Sequence, residues 1–414
     1  MHAPSAALRG RATPSTKPPQ VSARAAAATS RPLAVAPRAA ASAKAPSAPS
    51  SPWPCSKFLD VGVSTPPLGL GLAALGRPGY INLGHGADIT SAKSVDDMRA
   101  RAFEVLDAAY ASGVRYFDAA ASYGEAEEFL GRWLASRGVS PADVVIGSKW
   151  GYTYTADWRV ELSAGEPHEV KEHSAENLRA QFATSRDLLA PHLRCYQIHS
   201  ATSDSGVLRN DDVLNELRAM KRDGGMKIGL TVTGAEQGDV IREAMTVKMN
   251  GGGDGEDSEL LFDVVQATWN VMEQSAGDAL TDARRAGMHV IVKEALANGR
   301  LTTRNDALAA QKTLAALQVL AREFGNEGPG EFDSFVYKPD AAAIAIAMHQ
   351  GFDAMVLSGA STTEQMRSNA GAITLLRRFR DGGARAEERI AEVLAVGRAD
   401  PEAYWSQRSK LAWN

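Results

Sequence analysis

Cysteine is almost absent from this chain of 414 residues, which contains only Cys55 and Cys195. Two cysteines cannot form a disulfide framework, and alone they cannot supply the ligands of a structural zinc site. Long apolar runs are also missing, because no stretch approaches the roughly 18 consecutive apolar residues of a membrane-spanning helix. We therefore expect a protein with no structural disulfide, no metal site and no membrane span.

Acidic residues are missing from the first 59 positions, where Ala, Ser, Pro and Arg predominate. A segment of this composition cannot bury enough apolar surface to fold alone. We predict that residues 1–57 form a disordered extension or, as we favour, an organelle transit peptide, which is typically Arg- and Ser-rich and acid-poor. The many prolines disfavour the amphipathic helix of a mitochondrial signal, so the expected destination is a chloroplast, with the mitochondrion as the alternative.

The charge is distributed unevenly along the chain. Residues 1–53 carry seven Lys or Arg and no acid, whereas the whole chain has a formal charge of −4, so the remainder carries −11. A body this acidic is not expected to bind nucleic acid or an anionic membrane surface. The hydrophobic content of 44% is ordinary for a globular protein, and the length is ample for a large core.

Beyond residue 66, short apolar runs alternate with helical patterns. Buried parallel strands read as such runs, and eight of them with intervening helices predict a (β/α)8 TIM barrel, which we place in a single domain over residues 58–414. Ser94 is a suitable cap for the first helix, and Gly113 suits its C-terminal end. The predicted strands are 67–72, 114–119, 144–149, 195–200, 227–232, 263–269, 289–295 and 354–360. The predicted helices are 94–112, 125–137, 174–189, 208–223, 236–247, 274–287, 305–324, 340–350 and 362–379.

A doubly wound parallel sheet is the alternative architecture. Such a sheet normally carries a GxGxxG turn between its first strand and first helix. The run GLGLAALG at 69–76 departs from that spacing and precedes a loop. The barrel is therefore favoured.

Four polar residues lie at or just after the C-terminal ends of predicted strands. Asp118 and Tyr123 fall in the run VRYFDAAASYG, Lys149 ends the next strand, and His199 lies near the end of the one after it. Strand C-termini form the catalytic face of a (β/α)8 barrel. We therefore expect these four side chains to meet there.

Their chemistry suits proton transfer to a carbonyl oxygen. A tyrosine with a pKa of ~10 holds its proton at neutral pH, so Tyr123 can act as a general acid. We expect Lys149 to lower the pKa of Tyr123, Asp118 to keep the lysine charged, and His199 to orient the carbonyl or relay the proton. None of these groups is a reductant, so a hydride donor must bind beside them, and a nicotinamide is the simplest.

The same residues carry a resemblance to a known family. The run FDAAASYG, followed by a strand ending at Lys149 and another ending in QIHS at His199, resembles the aldo-keto reductase superfamily. The resemblance covers residues 58–400, approximately. It implies an enzyme that binds NADPH/NADP+ across the barrel top and reduces small-molecule carbonyls, with Asp118, Tyr123, Lys149 and His199 as its catalytic tetrad.

The resemblance extends to the cofactor site. Residues 356–372 resemble the family's segment for the adenosine 2′-phosphate, in the version closest to the potassium-channel beta subunits and their bacterial relatives. Gln266 matches a residue that hydrogen-bonds the nicotinamide carboxamide, and Trp269 matches an aromatic residue stacked on the nicotinamide. The full set of implied cofactor contacts is Thr231, Gln266, Trp269, Leu296, Asn298, Arg300, Ser361, Gln365 and Asn369.

The chain also departs from the family pattern. The family often has Ser-Asn where this chain has Thr231–Val232, and Ser-Pro-Leu where it has Glu294–Ala295–Leu296, so Lys293 and Glu294 bring two charges near the site. For the substrate pocket we expect loops 73–93 and 152–173 and the segment 396–414, with Trp150 and Tyr152 as candidate wall residues. Their aromatic residues favour apolar or planar substrates.

Three functions are compatible with these motifs. The first is an NADPH-dependent carbonyl reductase. The second is an aldose or sugar dehydrogenase, because the same tetrad can work in the reverse direction. The third is a regulatory protein that binds NADPH to sense redox state, as the resemblance to the potassium-channel beta subunits suggests.

Overall fold

The computed structural model describes residues 56–89, 93–250, 259–325 and 337–414. Residues 1–55, which contain almost all of the predicted transit peptide, lie outside this part of the chain. The predicted (β/α)8 barrel is confirmed: eight parallel strands close into a barrel in sequence order, with β8 paired to β1. The strands are β1 Leu68–Gly71, β2 Tyr116–Asp118, β3 Val145–Trp150, β4 Leu193–Ala201, β5 Lys227–Val232, β6 Val264–Thr268, β7 His289–Lys293 and β8 Met355–Ser358.

Helices surround the barrel. In the described ranges they are α1 His85–Asp88, α2 Val95–Ala111, α3 Ala126–Arg137, α4 Ala175–Leu189, α5 Asp211–Gly224, α6 Gln237–Ala244, α7 Gly277–Arg285, α8 Gln311–Gly325, α9 Pro339–His349, α10 Thr363–Gly397 and α11 Pro401–Arg408. As expected, Ser94 caps α2 by accepting the Asp97 N–H at 3.2 Å. None of the helices in these ranges is both long enough and apolar enough to cross a membrane.

The last long helix differs from its prediction. The expected end was residue 379, but α10 continues to Gly397, with a break at Gly383, whose φ is 51°. Beyond the break, Ala386, Ile390 and Val393 repeat at helical spacing and are buried. This second apolar stripe packs on the domain and lengthens the helix, because burial of an amphipathic face stabilises a helix more than propensity does.

The N-terminal end of the barrel is closed by apolar side chains. A short hairpin of Ser56–Lys57 and Ser64–Thr65 precedes β1, and the buried Phe58 and Leu59 lie between its two strands. The Phe58 ring packs edge-on against Tyr116 with their centroids 4.9 Å apart. This end therefore stabilises the fold and leaves the opposite, C-terminal end for chemistry.

Loops cover the C-terminal end. Tyr152–Tyr154 and Glu169–Lys171 pair as an antiparallel ribbon inside the loop that follows β3. Tyr80, in the loop after β1, exchanges backbone hydrogen bonds of 3.1 and 3.2 Å with Asn414. Residues from all three segments predicted to shape the substrate pocket line the cavity at this end of the barrel.

Gly76 is packed against the turn that carries Tyr123. A Cβ at this position would lie 2.1 Å from the carbonyl oxygen of Tyr123 and 2.5 Å from Ala126 Cβ. Because overpacking forces backbone shifts, we expect Gly76→Ala to lower the free energy of unfolding by about 1–3 kcal/mol in urea denaturation. Gly351→Ala is the control, since a Cβ there meets nothing within 4 Å. Equal effects of the two substitutions would contradict this packing.

Candidate active site

A cavity of about 650 Å³ opens at the C-terminal ends of the strands. It extends from Tyr123 and His199 to the N-terminus of α10. Ten of the fifteen residues predicted for the site line it, which brings the predicted catalytic and cofactor residues to one place. These ten are Asp118, Tyr123, Tyr152, His199, Gln266, Leu296, Asn298, Ser361, Gln365 and Asn369.

The Asp118 carboxylate lies at the base of the cavity and is 1% exposed. Its Oδ1 forms an ion pair with Lys149 Nζ, and Lys149 is equally buried. Its Oδ2 accepts hydrogen bonds from Tyr116 Oη at 3.0 Å, Gln197 Nε2 at 3.2 Å and Gln266 Nε2 at 3.1 Å. A buried charge is tolerated only with this degree of pairing.

Tyr123 lies directly above this pair. Lys149 Nζ is 4.7 Å from the centre of the Tyr123 ring and donates to the Ala119 carbonyl at 2.7 Å. We expected the lysine to lower the pKa of Tyr123, but burial and then the Asp118 carboxylate raise it above its usual value of 10.0, with Arg77 opposing them. The physical reason is that burial disfavours the charged phenolate and that the Asp118 carboxylate, a like charge, disfavours it further. Tyr123 therefore holds its proton.

His199 lies between two tyrosine rings. Its centroid is 5.4 Å from that of Tyr123 and 5.0 Å from that of Tyr152, and both contacts are edge-on. Burial, and then the charge of Lys149, lowers the pKa of His199 well below 6.5. The imidazole is therefore neutral near pH 7 and can hydrogen-bond a substrate oxygen without bringing a charge.

The backbone around His199 is held by two further contacts. Ser200 has a φ of 55° and donates its N–H to Thr231 Oγ1 at 2.7 Å. His173 Nε2 lies 2.9 Å from the carbonyl oxygen of His199. Thr231, a predicted cofactor contact, thus lies outside the cavity lining. It fixes the end of β4, which presents His199 to the cavity.

Of the other four predicted residues outside the cavity lining, Lys149 lies beneath Tyr123, and three lie away from the site. Successive strand residues point to opposite faces, so the residues that follow the inward-facing Lys149 and Thr268 face the helices. Trp150 is fully buried and packs against His173, and Trp269 packs against Phe352. Because of this alternation, the prediction of Trp150 as a pocket wall and Trp269 as a nicotinamide-stacking residue is wrong in this structure.

Arg300 is the third of these residues. Its Nε donates to the Ala297 carbonyl at 2.8 Å, and its guanidinium lies 4.2 Å from the centre of the Tyr404 ring. These contacts direct it towards α11 and away from the cavity. A direct contact of Arg300 with the cofactor, which the resemblance implied, is not supported by this orientation.

Lys293 and Glu294, whose roles the sequence left open, take separate partners. Lys293 Nζ donates to Thr268 Oγ1 at 2.8 Å, and burial lowers its pKa to about 8. Glu294 pairs with Arg408 of α11 at 2.6 Å. Burial opposes ionisation of Glu294, but Arg408 and Lys293 outweigh it and hold the pKa at about 2. Both residues line the cavity, and Glu294 also anchors the C-terminal helix over it.

Arg77 is a pocket residue that sequence reasoning missed. It is 2% exposed, pairs with Glu169 at 2.6 Å and donates to the Ser122 carbonyl at 3.0 Å. Its guanidinium lies 5.3 Å from the centre of the Tyr123 ring and 4.6 Å from that of Trp413. The available signal was a single arginine in the apolar, glycine-rich run GLGLAALGRPG, which begins in the first strand and continues into the loop after it.

The far end of the cavity gathers hydrogen-bond donors at the N-terminus of α10. Ser361 Oγ, Gln365 Nε2 and the Arg304 guanidinium all reach the carboxylate of Asp88. Asn369 contacts Ser358 Oγ at 2.8 Å. Asp88 and Arg304 were not predicted, because the one-turn helix α1 and the loop after β7 carry no periodic pattern.

The residues present suit a dinucleotide. Asn298 is 4% exposed and lines the cavity, and its side-chain oxygen has no hydrogen-bond partner among the described residues. The hydroxyl, amide and guanidinium donors near α10 suit an anionic group, as helix N-termini commonly do. Within the described ranges, no three His, Cys, Asp or Glu side chains are grouped so as to hold a metal ion.

Comparison with known proteins identifies the family. The model for the aldo/keto reductase family matches residues 67–379. The chain is 29% identical over 258 residues to aldo-keto reductase ausK of Emericella nidulans, covering 61% of this chain and 57% of that protein. It is 32% identical over 123 residues to aldo-keto reductase str7 of Strobilurus tenacellus, covering 30% of this chain and 31% of that protein. The chain thus spans only part of the length of these relatives.

Solved structures support the fold. An aldo-keto reductase from Bacillus halodurans in its holo form is 16% identical, with a TM-score of 0.56, covering 84% of this chain and 99% of that one. An aldo-keto reductase from Klebsiella pneumoniae in complex with NADPH is 15% identical, with a TM-score of 0.54, covering 84% and 97%. Since the family model extends from the first barrel strand into α10, this chain belongs to the aldo/keto reductase family.

Proposed function

We propose that this protein is an NADP(H)-dependent reductase that converts the carbonyls of small aldehydes or ketones into alcohols. The observation that carries the proposal is the buried Asp118–Lys149 pair beneath Tyr123, with His199 beside the same ring. These groups lie at one end of a cavity whose other end presents donors for an anion. Membership of the aldo/keto reductase family supports an oxidoreductase acting on carbonyls.

The cofactor would lie along the cavity. Gln266 would meet its carboxamide, Leu296 and Asn298 would border its middle part, and Ser361 with Gln365 would meet the adenosine end. Bound there, a nicotinamide would supply the hydride. The NADPH complex of the Klebsiella pneumoniae relative supports the choice of cofactor for this fold.

The side chains of the protein manage the proton. The neutral ring of His199 orients the carbonyl oxygen by a hydrogen bond, and the Tyr123 phenol donates its proton to that oxygen as negative charge develops on it. A hydride supplied to the carbonyl carbon and the Tyr123 proton on the oxygen would together give the alcohol. Lys149 then faces the new phenolate and stabilises it until a proton returns.

The state of Tyr123 supports reduction as the proposed direction of reaction. Burial and Asp118 raise its pKa, so near neutral pH the tyrosine is a proton donor. Oxidation of an alcohol, as in the aldose dehydrogenase alternative, needs the phenolate as a base. The pKa shift therefore favours reduction.

An NADPH-dependent redox sensor is the other candidate, and the resemblance of residues 356–372 to the potassium-channel beta subunits is its support. Stopped-flow mixing of the NADPH complex with a panel of small aldehydes, quinones and sugar-derived carbonyls separates the two. Oxidation of the bound cofactor within seconds is the result expected for a reductase. A bound cofactor that no carbonyl oxidises would favour the sensor.

We also propose that the enzyme works in a chloroplast after removal of residues 1–57, with a mitochondrion as the alternative. The seven basic residues and the absence of acids over positions 1–53 support this assignment.

Tyr123→Phe removes only the phenolic hydroxyl from the site. We expect kcat to fall by about 10²–10⁴-fold, the usual contribution of a general acid, while the Kd for NADPH in a fluorescence titration stays the same. Tyr110→Phe, in α2 and outside the cavity lining, is the matched control and should keep full activity. Unchanged turnover of Tyr123→Phe would refute the assigned role.

Asp118→Asn leaves Lys149 buried without its counter-ion. We expect the free energy of unfolding to fall by about 3–5 kcal/mol, and the double variant D118N/K149M to recover part of this loss, because both charges are then gone. Urea denaturation measures both values. Asp96→Asn, in an exposed pair with Arg99, should change stability by at most about 1 kcal/mol. A double variant less stable than D118N would contradict mutual compensation of the pair.

The pH profile is the third test of this mechanism. Because reduction needs a protonated Tyr123 with a raised pKa, kcat/KM for reduction should stay level from about pH 6 to pH 9 and fall only above about pH 10. In the reverse direction, the phenolate fraction grows with pH, so kcat/KM should rise about tenfold per pH unit over the same range. Circular dichroism checks that the fold persists. A fall in the reduction rate centred near pH 8 would assign the proton to another group.

A further inference from the structure

Asp88 lies among the donors assigned to the adenosine end of the cofactor. Its Oδ2 accepts hydrogen bonds from Ser361 Oγ at 3.0 Å, Gln365 Nε2 at 2.8 Å and Arg304 Nη1 at 2.6 Å. Its Oδ1 is ion-paired with Arg304 Nη2. All four residues line the same cavity. One carboxylate therefore accepts hydrogen bonds from a hydroxyl, an amide and a guanidinium at the same time.

This donor set is the kind that an anionic phosphate ester uses. A guanidinium offers two parallel N–H groups to a carboxylate or a phosphate in the same geometry, and a helix N-terminus favours either anion. The Asp88 side chain is 7% exposed and that of Arg304 is 38% exposed, so the carboxylate is enclosed while the guanidinium also reaches solvent. The contacts of Asp88 thus show that the donors at this end of the cavity bind an anion. In this structure, that anion is the carboxylate of Asp88 itself.

We propose that Asp88 is a cofactor-selectivity residue that competes with the adenosine 2′-phosphate of NADP(H) for Ser361, Gln365 and Arg304. This inference rests on the proposed function, because it assumes that the adenosine end of a nicotinamide dinucleotide lies here. It extends that function by assigning to Asp88 a direct influence on the choice between NADPH and NADH.

Competition follows from charge and from donor count. A phosphate monoester carries a charge of about −1.5 to −2 near pH 7 and needs the three donors that Asp88 already holds. Asp88 is ionised there, since hydrogen bonds from Arg304 and Gln365 outweigh its burial and lower its pKa. NADPH must therefore displace the carboxylate or share Arg304 with it, against like-charge repulsion.

NADH meets a different situation. Its adenosine ribose offers neutral hydroxyls, which can donate to the Asp88 carboxylate without displacing it, as a carboxylate does for a ribose hydroxyl in other dinucleotide sites. The Asp88–Arg304 pair can remain intact while NADH binds. Asp88 consequently weakens the binding of NADPH and not that of NADH. The difference in affinity between the two cofactors is therefore smaller than it would be without this carboxylate.

The direct test compares Kd values for NADPH and NADH in the full-length protein and its variants, by quenching of tryptophan fluorescence. Asp88→Asn keeps the shape and removes the charge. We expect it to tighten NADPH by about tenfold and to leave NADH within about threefold. Asp88→Glu retains the carboxylate and should keep the low selectivity. Arg304→Gln should weaken NADPH selectively, and the gain from D88N should shrink in the D88N/R304Q double variant, because the competition is for that guanidinium.

Controls separate the possible failures. Asp96→Asn changes the net charge equally on an exposed part of α2 and should leave both Kd values unchanged. Equal changes for NADPH and NADH in D88N, or a weaker NADPH complex, would overturn the assignment of Asp88. If the unaltered protein bound neither dinucleotide, the proposed function itself would fail, which is a distinct outcome. Melting temperatures confirm that each variant is folded. If D88N is not folded, D88E still tests whether a carboxylate at this position keeps the selectivity low.

Discussion

The buried charge of Asp118 is the constraint on which the rest of the site depends. An unpaired carboxylate in this interior would cost several kcal/mol in lost hydration. The structure compensates with the Lys149 ion pair and with hydrogen bonds from Tyr116, Gln197 and Gln266. Because these partners come from β2, β3, β4 and β6, one charge fixes four strands around a common point. Burial raises the pKa of Tyr123 and the same charge raises it further, so the interaction that orders the barrel end also helps the proposed proton donor to hold its proton.

The loop after β1 links the two ends of the cavity. It places Arg77 beside Tyr123 and Asp88 beside Ser361, and between them the N–H of Leu83 donates to the Asn298 carbonyl at 2.9 Å. One segment therefore contributes a cation where the substrate would bind and an anion where the cofactor would end. A shift of this loop would change both sites together. The packing of Gly76 against the turn of Tyr123 adds a rigid point to the same segment.

The sequence allowed prediction of the strands and of the residues that lie on them, because strand periodicity and strand ends are local properties. The eight strands and the cap at Ser94 are of this kind, and Asp118 meets Lys149 because their strands are neighbours in the barrel. Trp150 and Trp269 were misplaced because an offset of one residue reverses the face of a strand. Arg77 and Asp88 were missed because their positions depend on contacts between distant loops, and the second half of α10 was missed because tertiary burial sustains it.

Most charged side chains that line the cavity already have partners, including Asp118 with Lys149, Arg77 with Glu169, Glu294 with Arg408 and Asp88 with Arg304. Ligand binding is then an exchange of ion pairs more than a gain of new ones. A ligand that breaks a pair must replace it with a contact of similar strength, so affinity depends on the difference between the two. Lys149 and Asp118 lie beneath Tyr123 and need no such exchange, whereas the pairs at the loops do. In the proposed function, the chemistry therefore resides in a fixed pair on the strands, and selectivity in exchangeable pairs outside them.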